Sequence, residues 1–188
     1  MSLTPSQSPK EPFHHRHLIT QPNTHFLGLE NFTVHPETPP LHLLPIRIPN
    51  EDSAYALQIP DYTDDLSNLP WIAAILPKKQ DPRSAALRKV HGSDPGKIGG
   101  GCPEGTTCVG DGWRVDAAKS GDKKEGELVP LGKLGFRGFE GHWEVVKDVP
   151  NGGGWHLYWK ADDSKEVELG ARVEVEVVPV TKLGYGDN

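Results

Sequence analysis

Glu140, His142 and Glu144 occupy alternate positions in FEGHWE, and His156 follows in GWHLYW. An imidazole beside carboxylates is the usual set for proton transfer near neutral pH. Alternate residues of a strand share a face, so Glu140, His142 and Glu144 line up, and His156 joins them once the chain pairs back on itself. A small β-barrel enzyme of isomerase or cyclase type would work through His142, His156 and Glu140. The plainer reading is a solvated polar face in which Asp148 pairs with His156. No nucleophile or oxyanion donor accompanies the cluster, and the plainer reading is preferred.

The second chemistry-bearing group is aromatic. Four of the five tryptophans lie between positions 113 and 159. Rings gathered on one face of a sheet are core first. In a barrel wide enough to keep a cavity they would also line a small-ligand pocket, and on a partly open face they would stack on sugar rings. Trp113, Trp143, Trp155, Tyr158 and Trp159 are therefore the ligand-binding candidates.

Weaker signals complete the set. Cys102 and Cys108 enclose PEGTT, a spacing that closes a small disulfide loop in an oxidising compartment and gives free thiols in a reducing one. The start, MSLTPSQSPKEP, has no apolar h-region, so the thiol state and a cytoplasmic location are preferred. An extracellular location remains the alternative if a signal has been removed. Two cysteines are too few for zinc. His14-His15-Arg16-His17 would bind a metal only adventitiously, since a Pro-rich segment rarely supplies a fixed second shell. Gly96-Lys97 fails as a P-loop because Ile98 stands where Ser or Thr is required. Asn31-Phe32-Thr33 is a glycosylation sequon, relevant only to a secreted chain. No metal and no cofactor are expected.

The element that must position these residues runs from 136 to 179. Trp143, Val145 and Val149 alternate with polar or smaller residues, a Pro-Asn-Gly-Gly-Gly cluster follows, and Trp155, Leu157 and Trp159 alternate again. That is the signal of an antiparallel hairpin. Face matching gives a register with Val149 opposite Trp155 and Val145 opposite Trp159. The same register sets Asp148 across from His156, Val146 from Tyr158 and Glu144 from Lys160. Beyond the Asp162-Asp163-Ser164 turn, Val167, Leu169, Val173, Val175 and Val177 share one face. There Lys160 meets Glu166 or Glu168. Gly170 marks a bend, after which the strand pairs with a different neighbour.

Elsewhere the pattern is thinner. Residues 1–45 form a Pro- and His-rich extended arm, with Phe26-Leu27-Gly28-Leu29, Leu41, Leu43-Leu44, Ile46 and Ile48 as anchors onto a single β-rich domain over 46–188. Ser53–Ile59 reads as a short strand. Leu69, Ile72, Ala73 and Leu76 recur at helical spacing up to Pro77. Asp81, Pro82 and Gly92 frame a second helix with Ala86, Leu87 and Val90 inward. A helical insert thus spans about 68–91. Strands follow from 106, with Trp113, Val115 and Ala117 on one face and an edge strand near 127–134, and the meander continues to about 180. The predicted fold is mainly β: an antiparallel meander forming a barrel or two-sheet sandwich, with two short helices and an extended N-terminal arm.

Composition narrows function. The net charge is −6, with 20 basic and 26 acidic residues. No basic patch is interleaved with aromatics, so nucleic acid is not an expected partner. No run approaches the ~20 apolar residues of a membrane-spanning helix, so no membrane partner is expected. The expected function is a non-enzymatic binding module holding a small-molecule or carbohydrate ligand on the tryptophan face. The acid–base enzyme and a structural protein without ligand are the alternatives.

Overall fold

The computed structural model describes residues 2–6, 16–21, 24–29, 40–60, 65–78, 84–98, 101–117, 131–147, 155–163 and 170–180. Every regular element among them is a strand. The first four are β1 (Ser2–Ser6), β2 (Leu18–Thr20), β3 (Leu27–Leu29) and β4 (Leu44–Arg47). Next come β5 (Ala54–Gln58), β6 (Leu69–Pro77), β7 (Ser84–Gly92), β8 (Thr106–Val109) and β9 (Trp113–Ala117). The last four are β10 (Gly132–Phe136), β11 (Gly141–Lys147), β12 (Trp155–Ala161) and β13 (Ala171–Val178).

Eight of them close a ring. Going round, β5 pairs with β6, then β7, β12, β11, β13, β10 and β9, and β9 returns to β5, each contact antiparallel. The fold is therefore a barrel and not a two-sheet sandwich. Five strands lie off the ring. β1 runs along β13, β4 along β5, β8 along β6, and the β2–β3 pair adds to β12. Gly110 and Gly112 bend the chain between β8 and β9. A β-carbon on Gly110 would meet the Pro95 carbonyl at 2.7 Å, and one on Gly112 would meet the Phe136 ring at 2.8 Å.

An eight-stranded barrel has an interior just wide enough to be filled by side chains or to hold one small ligand. Here side chains occupy it. Trp113, Phe136, Trp143, Trp159, Val173, Val175 and Val177 are buried together, and Leu18, Leu27, Leu29, Leu41 and Leu43 from the N-terminal segment join the same cluster. Of the expected anchors, Leu27, Leu29, Leu41 and Leu43 are buried, whereas Leu44 and Ile46 are 48% and 40% exposed. The amide of Ile48 donates to the Ala54 carbonyl, so by alternation the nitrogens of Pro45 and Pro49 face away from β5. Two prolines thus remove donors from the outer edge of β4, a common protection of an edge strand.

The two helices expected between 68 and 91 are strands. β6 and β7 form a long hairpin running from Leu69↔Gly92 to Ile75↔Ala86. Ile72 and Ala74 face the barrel, while Trp71, Ala73 and Ile75 enter a second cluster with Ala56 and Val90. Ile48, Leu69, Ile98 and Cys108 pack against that outer cluster. A strand buried on both faces shows no alternation, and a run of apolar residues then satisfies helical spacing by default. In β7, Leu87 and Val90 stand three apart because they face opposite sides. The Asp81-Pro82 cap lies outside the described residues, as do the turn cluster at 150–154 and residues 127–130 of the expected edge strand.

The β11–β12 register is shifted by two residues from expectation. Trp143 pairs with Trp159, Val145 with Leu157, Glu144 with Tyr158, Val146 with His156, and Lys147 with Trp155. A two-residue shift keeps every side chain on its own face, so face matching alone could not detect it. The ring packing of Trp143 on Trp159, centroids 4.9 Å apart at 73°, belongs to the observed register. The described part of β13 does not pair with β12 as a simple meander requires: Ala171–Val173 pair with β11, which therefore lies between β12 and β13, and Glu176–Val177 pair with β10. Asp148, Glu166 and Glu168 lie outside the described residues.

Candidate functional site

The inner face of β9, β11 and β12 assembles three of the five predicted ligand residues. Trp113 is fully buried, and its ring lies stacked 6.3 Å from Trp143 at an interplanar angle of 20°. Trp143 in turn meets Trp159 edge to face, and Phe136 packs on Trp113 at 5.5 Å. Each indole N–H is matched to a backbone carbonyl. Trp113 Nε1 donates to Ile72 O at 2.9 Å, Trp143 Nε1 to Leu134 O at 2.6 Å, and Trp159 Nε1 to Phe139 O at 3.0 Å. These rings hold the barrel together: they bridge strands through their edges and fill the space between through their faces.

Trp155 differs. It begins β12 on the same side as Trp159 but is only partly buried, packing against the rim of the core. Its carbonyl accepts from Gln21 Nε2 at 3.1 Å, which ties it to the N-terminal segment. Gly28 makes that junction possible, since a β-carbon there would lie 2.1 Å from the same carbonyl. Tyr158 does not join the tryptophans. It stands opposite Glu144 and Ala86, on the outer face.

The acid–base candidates also lie on the outside of the barrel. Glu140 is well exposed and reaches Arg114 at 3.7 Å. His142 Nδ1 sits 2.8 Å from Asp162 Oδ1, and Asp162 also approaches Arg172 at 3.6 Å. His156 is buried and packs edge to face on Phe26, with ring centroids 6.2 Å apart. Arg88 caps the same Phe26 ring at 5.3 Å. These three acid–base candidates form contacts with different partners and do not surround a common point.

Glu144 is the outlier of this face. It is 1% exposed, and its Oε2 is 3.1 Å from the Nζ of Lys160, itself 8% exposed. Neither carboxylate oxygen is in a hydrogen bond. Gly170 comes so close that a β-carbon there would lie 2.8 Å from Oε1. The sequence pointed to opposite charges at 144 and 160. It did not show that the pair would be buried, because nothing in a strand's alternation tells whether the polar side is covered.

Cys102 and Cys108 are bonded, with Cα atoms 5.8 Å apart. The preferred thiol state is thereby corrected. Thr106 supports the loop, its hydroxyl donating to the Pro103 carbonyl at 2.6 Å, and Gly101 and Gly105 take the positive φ that closes it. No group of three metal-ligating side chains occurs among the described residues. A concavity of about 370 Å³ lies over the β4–β5 turn between Arg47 and Asp52 and is bounded by that turn. Asp162 and Arg172 were not singled out from the sequence, because a turn aspartate and an arginine on a strand's polar side carry no signature. No family model, curated protein or solved structure matches this chain.

Proposed function

We propose that the chain is a non-catalytic β-barrel binding module of an oxidising compartment, meeting its ligand at the barrel end beside Trp155. One observation carries this reading: Trp113, Trp143 and Trp159 have their indole N–H groups bound to backbone carbonyls within a filled interior, while Trp155 packs at its margin and is only partly buried. A sugar or small molecule placed among the inner rings would displace core and find no donor to replace its lost water, at a cost of roughly 1–3 kcal/mol per buried polar group. Trp155 lies at the margin of that interior, where a ligand would displace no buried core. The disulfide supports the compartment, since such bonds persist outside the reducing cytosol.

Titration of candidate glycans and lipophilic compounds against tryptophan fluorescence tests the reading. A saturable response in the wild type that disappears in Trp155→Ala and persists in Trp159→Phe is expected. A response insensitive to Trp155→Ala would overturn the location. The second reading is a structural barrel with no small ligand, which the filled interior favours. A wild type silent to every compound would select it.

A further inference from the structure

The pair Glu144–Lys160 differs from an ordinary buried salt bridge. A carboxylate removed from water normally keeps its charge by accepting several hydrogen bonds, because these offset the cost of desolvating the ion. Glu144 accepts none, and the ammonium beside it at 3.1 Å is almost as deeply buried. The two residues sit diagonally across β11 and β12, on backbones fixed by the hairpin ladder, so the contact is held in place.

We propose that Lys160 and Glu144 are the site of an intramolecular isopeptide bond. Transfer of one proton from the Lys160 ammonium to the Glu144 carboxylate turns the ion pair into an amine and a carboxylic acid. The amine nitrogen attacks Cδ of Glu144, a C–N bond forms, the tetrahedral centre loses its hydroxyl with a proton from nitrogen, and one water leaves. No oxidant, reductant or co-substrate enters the balance. Two buried charges are replaced by one neutral amide, which removes the cost that the missing hydrogen bonds impose. Holding the reacting groups in contact converts a slow bimolecular condensation into an intramolecular one.

Proton traffic has a local carrier. His142 lies directly opposite Lys160 in the β11–β12 register, at the spacing where cross-strand side chains touch. Its Nδ1 is held by Asp162 at 2.8 Å, leaving Nε2 as the ring atom that exchanges protons. Within this proposal His142, the cross-strand neighbour of Lys160, is assigned the proton transfer of the condensation.

Intact mass spectrometry of the denatured, reduced full chain decides the matter. The expected wild-type mass is lower than the sequence mass by one water. Trypsin should then fail to cut after Lys160, and the peptide 138–147 should remain joined to the peptide that spans 148–165. Lys160→Arg, which keeps a cation but forms no amide, should carry its full mass. His142→Ala should show a mixture of linked and unlinked chains that moves towards linked over time. A wild-type chain at full sequence mass after prolonged incubation overturns the proposal. So does a water loss that survives in Lys160→Arg, since Asp111-Gly112 can lose water as a succinimide without any cross-link.

Discussion

The hairpins β6–β7 and β11–β12 belong to the same ring and bury their outer sides in opposite ways. Outside β6 lies a second apolar layer in which Trp71, Ala73 and Ile75 pack with Ala56 and Val90 beneath Ile48, Ile98 and Cys108. Outside β11–β12 lie Glu144 with Lys160, and His142 with Asp162. Inside, both contribute apolar side chains to one continuous cluster. The pattern that a barrel strand displays is therefore set by what covers its outer face, since the inner face is the same for all. Stability should follow the same division, with the inner face carrying more of it than either outer layer.

The strongest way to break that division is to truncate one tryptophan from each layer. Trp113→Ala removes a fully buried ring that touches both Trp143 and Phe136, together with its indole hydrogen bond to the Ile72 carbonyl. The expected loss is about 4–5 kcal/mol, the upper end for Trp→Ala in a core. Trp71→Ala opens a smaller cluster whose other buried members are Ala56, Ala73, Ile75 and Val90, and about 3 kcal/mol is expected. Equilibrium urea denaturation measures both. Equal losses would mean that the outer layer is core in its own right and that the comparison fails.

The charged outer layer is tested by a double-mutant cycle. Relative to Lys160→Arg, which keeps the charge pair and cannot form the amide, Lys160→Met leaves the Glu144 carboxylate buried and alone, which should cost about 3–5 kcal/mol. The double variant Glu144→Leu with Lys160→Met should recover most of that loss, because an apolar pair of similar volume needs no solvation. A double variant no better than Lys160→Met would show that the outer face of β11–β12 depends on packing and not on charge balance.

The same contrast decides what could be read in advance. In β11–β12 the inner and outer sides meet different surroundings, so Trp143 and Val145 against Glu144, and Leu157 and Trp159 against Lys160, announce a strand pair and its two faces. Even there the register escaped, because side-chain parity repeats every two residues and Val149 was as good an apolar partner for Trp155 as the alternation required. In β6 the residues from Trp71 to Ile75 are all buried, and the helical spacing of Leu69, Ile72, Ala73 and Leu76 was an accident of uniform composition. The barrel's closure was out of reach for a different reason. It depends on short pairings such as Leu57↔Ile72 and Tyr55↔Trp113, between segments distant in sequence. Leu27, Leu29, Leu41 and Leu43 were visible as anchors, but not their entry into the same cluster as the tryptophans. At the candidate site, residue types were legible while coverage was not, which is why Trp155 and Trp159 looked alike and Glu144 looked solvated.

A smaller effect sharpens the outer apolar layer. Cys108 packs against that layer and pairs opposite Ile75 through β8, so the bond to Cys102 staples the layer's cover to β6. Closing so short a loop restricts the unfolded chain only modestly, and reduction should cost about 2 kcal/mol. Thermal unfolding with and without reductant, compared with the variant Cys102→Ala with Cys108→Ala, measures it. If reduction shifts the transition as much as Trp71→Ala does, the staple and not the apolar contact holds the outer layer in place.

The smallest effect lies on the turn that leads into β6, where burial is absent altogether. Asp65 Oδ1 accepts from the Ser67 hydroxyl and from the Ser67 amide at 3.0 Å. The hydroxyl first and the amide second hold its carboxyl below the ordinary carboxylate value, against a minor opposing effect of desolvation. A carboxyl lowered in the folded state stabilises the fold above its unfolded value, and that contribution fades as pH falls through the folded one. Full exposure makes the effect on stability too small for denaturation to resolve, in contrast to the buried carboxylate of Glu144. Side-chain carboxyl titration by NMR resolves it directly: Ser67→Ala should raise the Asp65 midpoint towards the ordinary value while leaving the unfolding transition unmoved. An unchanged midpoint would assign the shift to the backbone amide alone, and a moved unfolding transition would mean that this turn sets the entry of β6 into the ring.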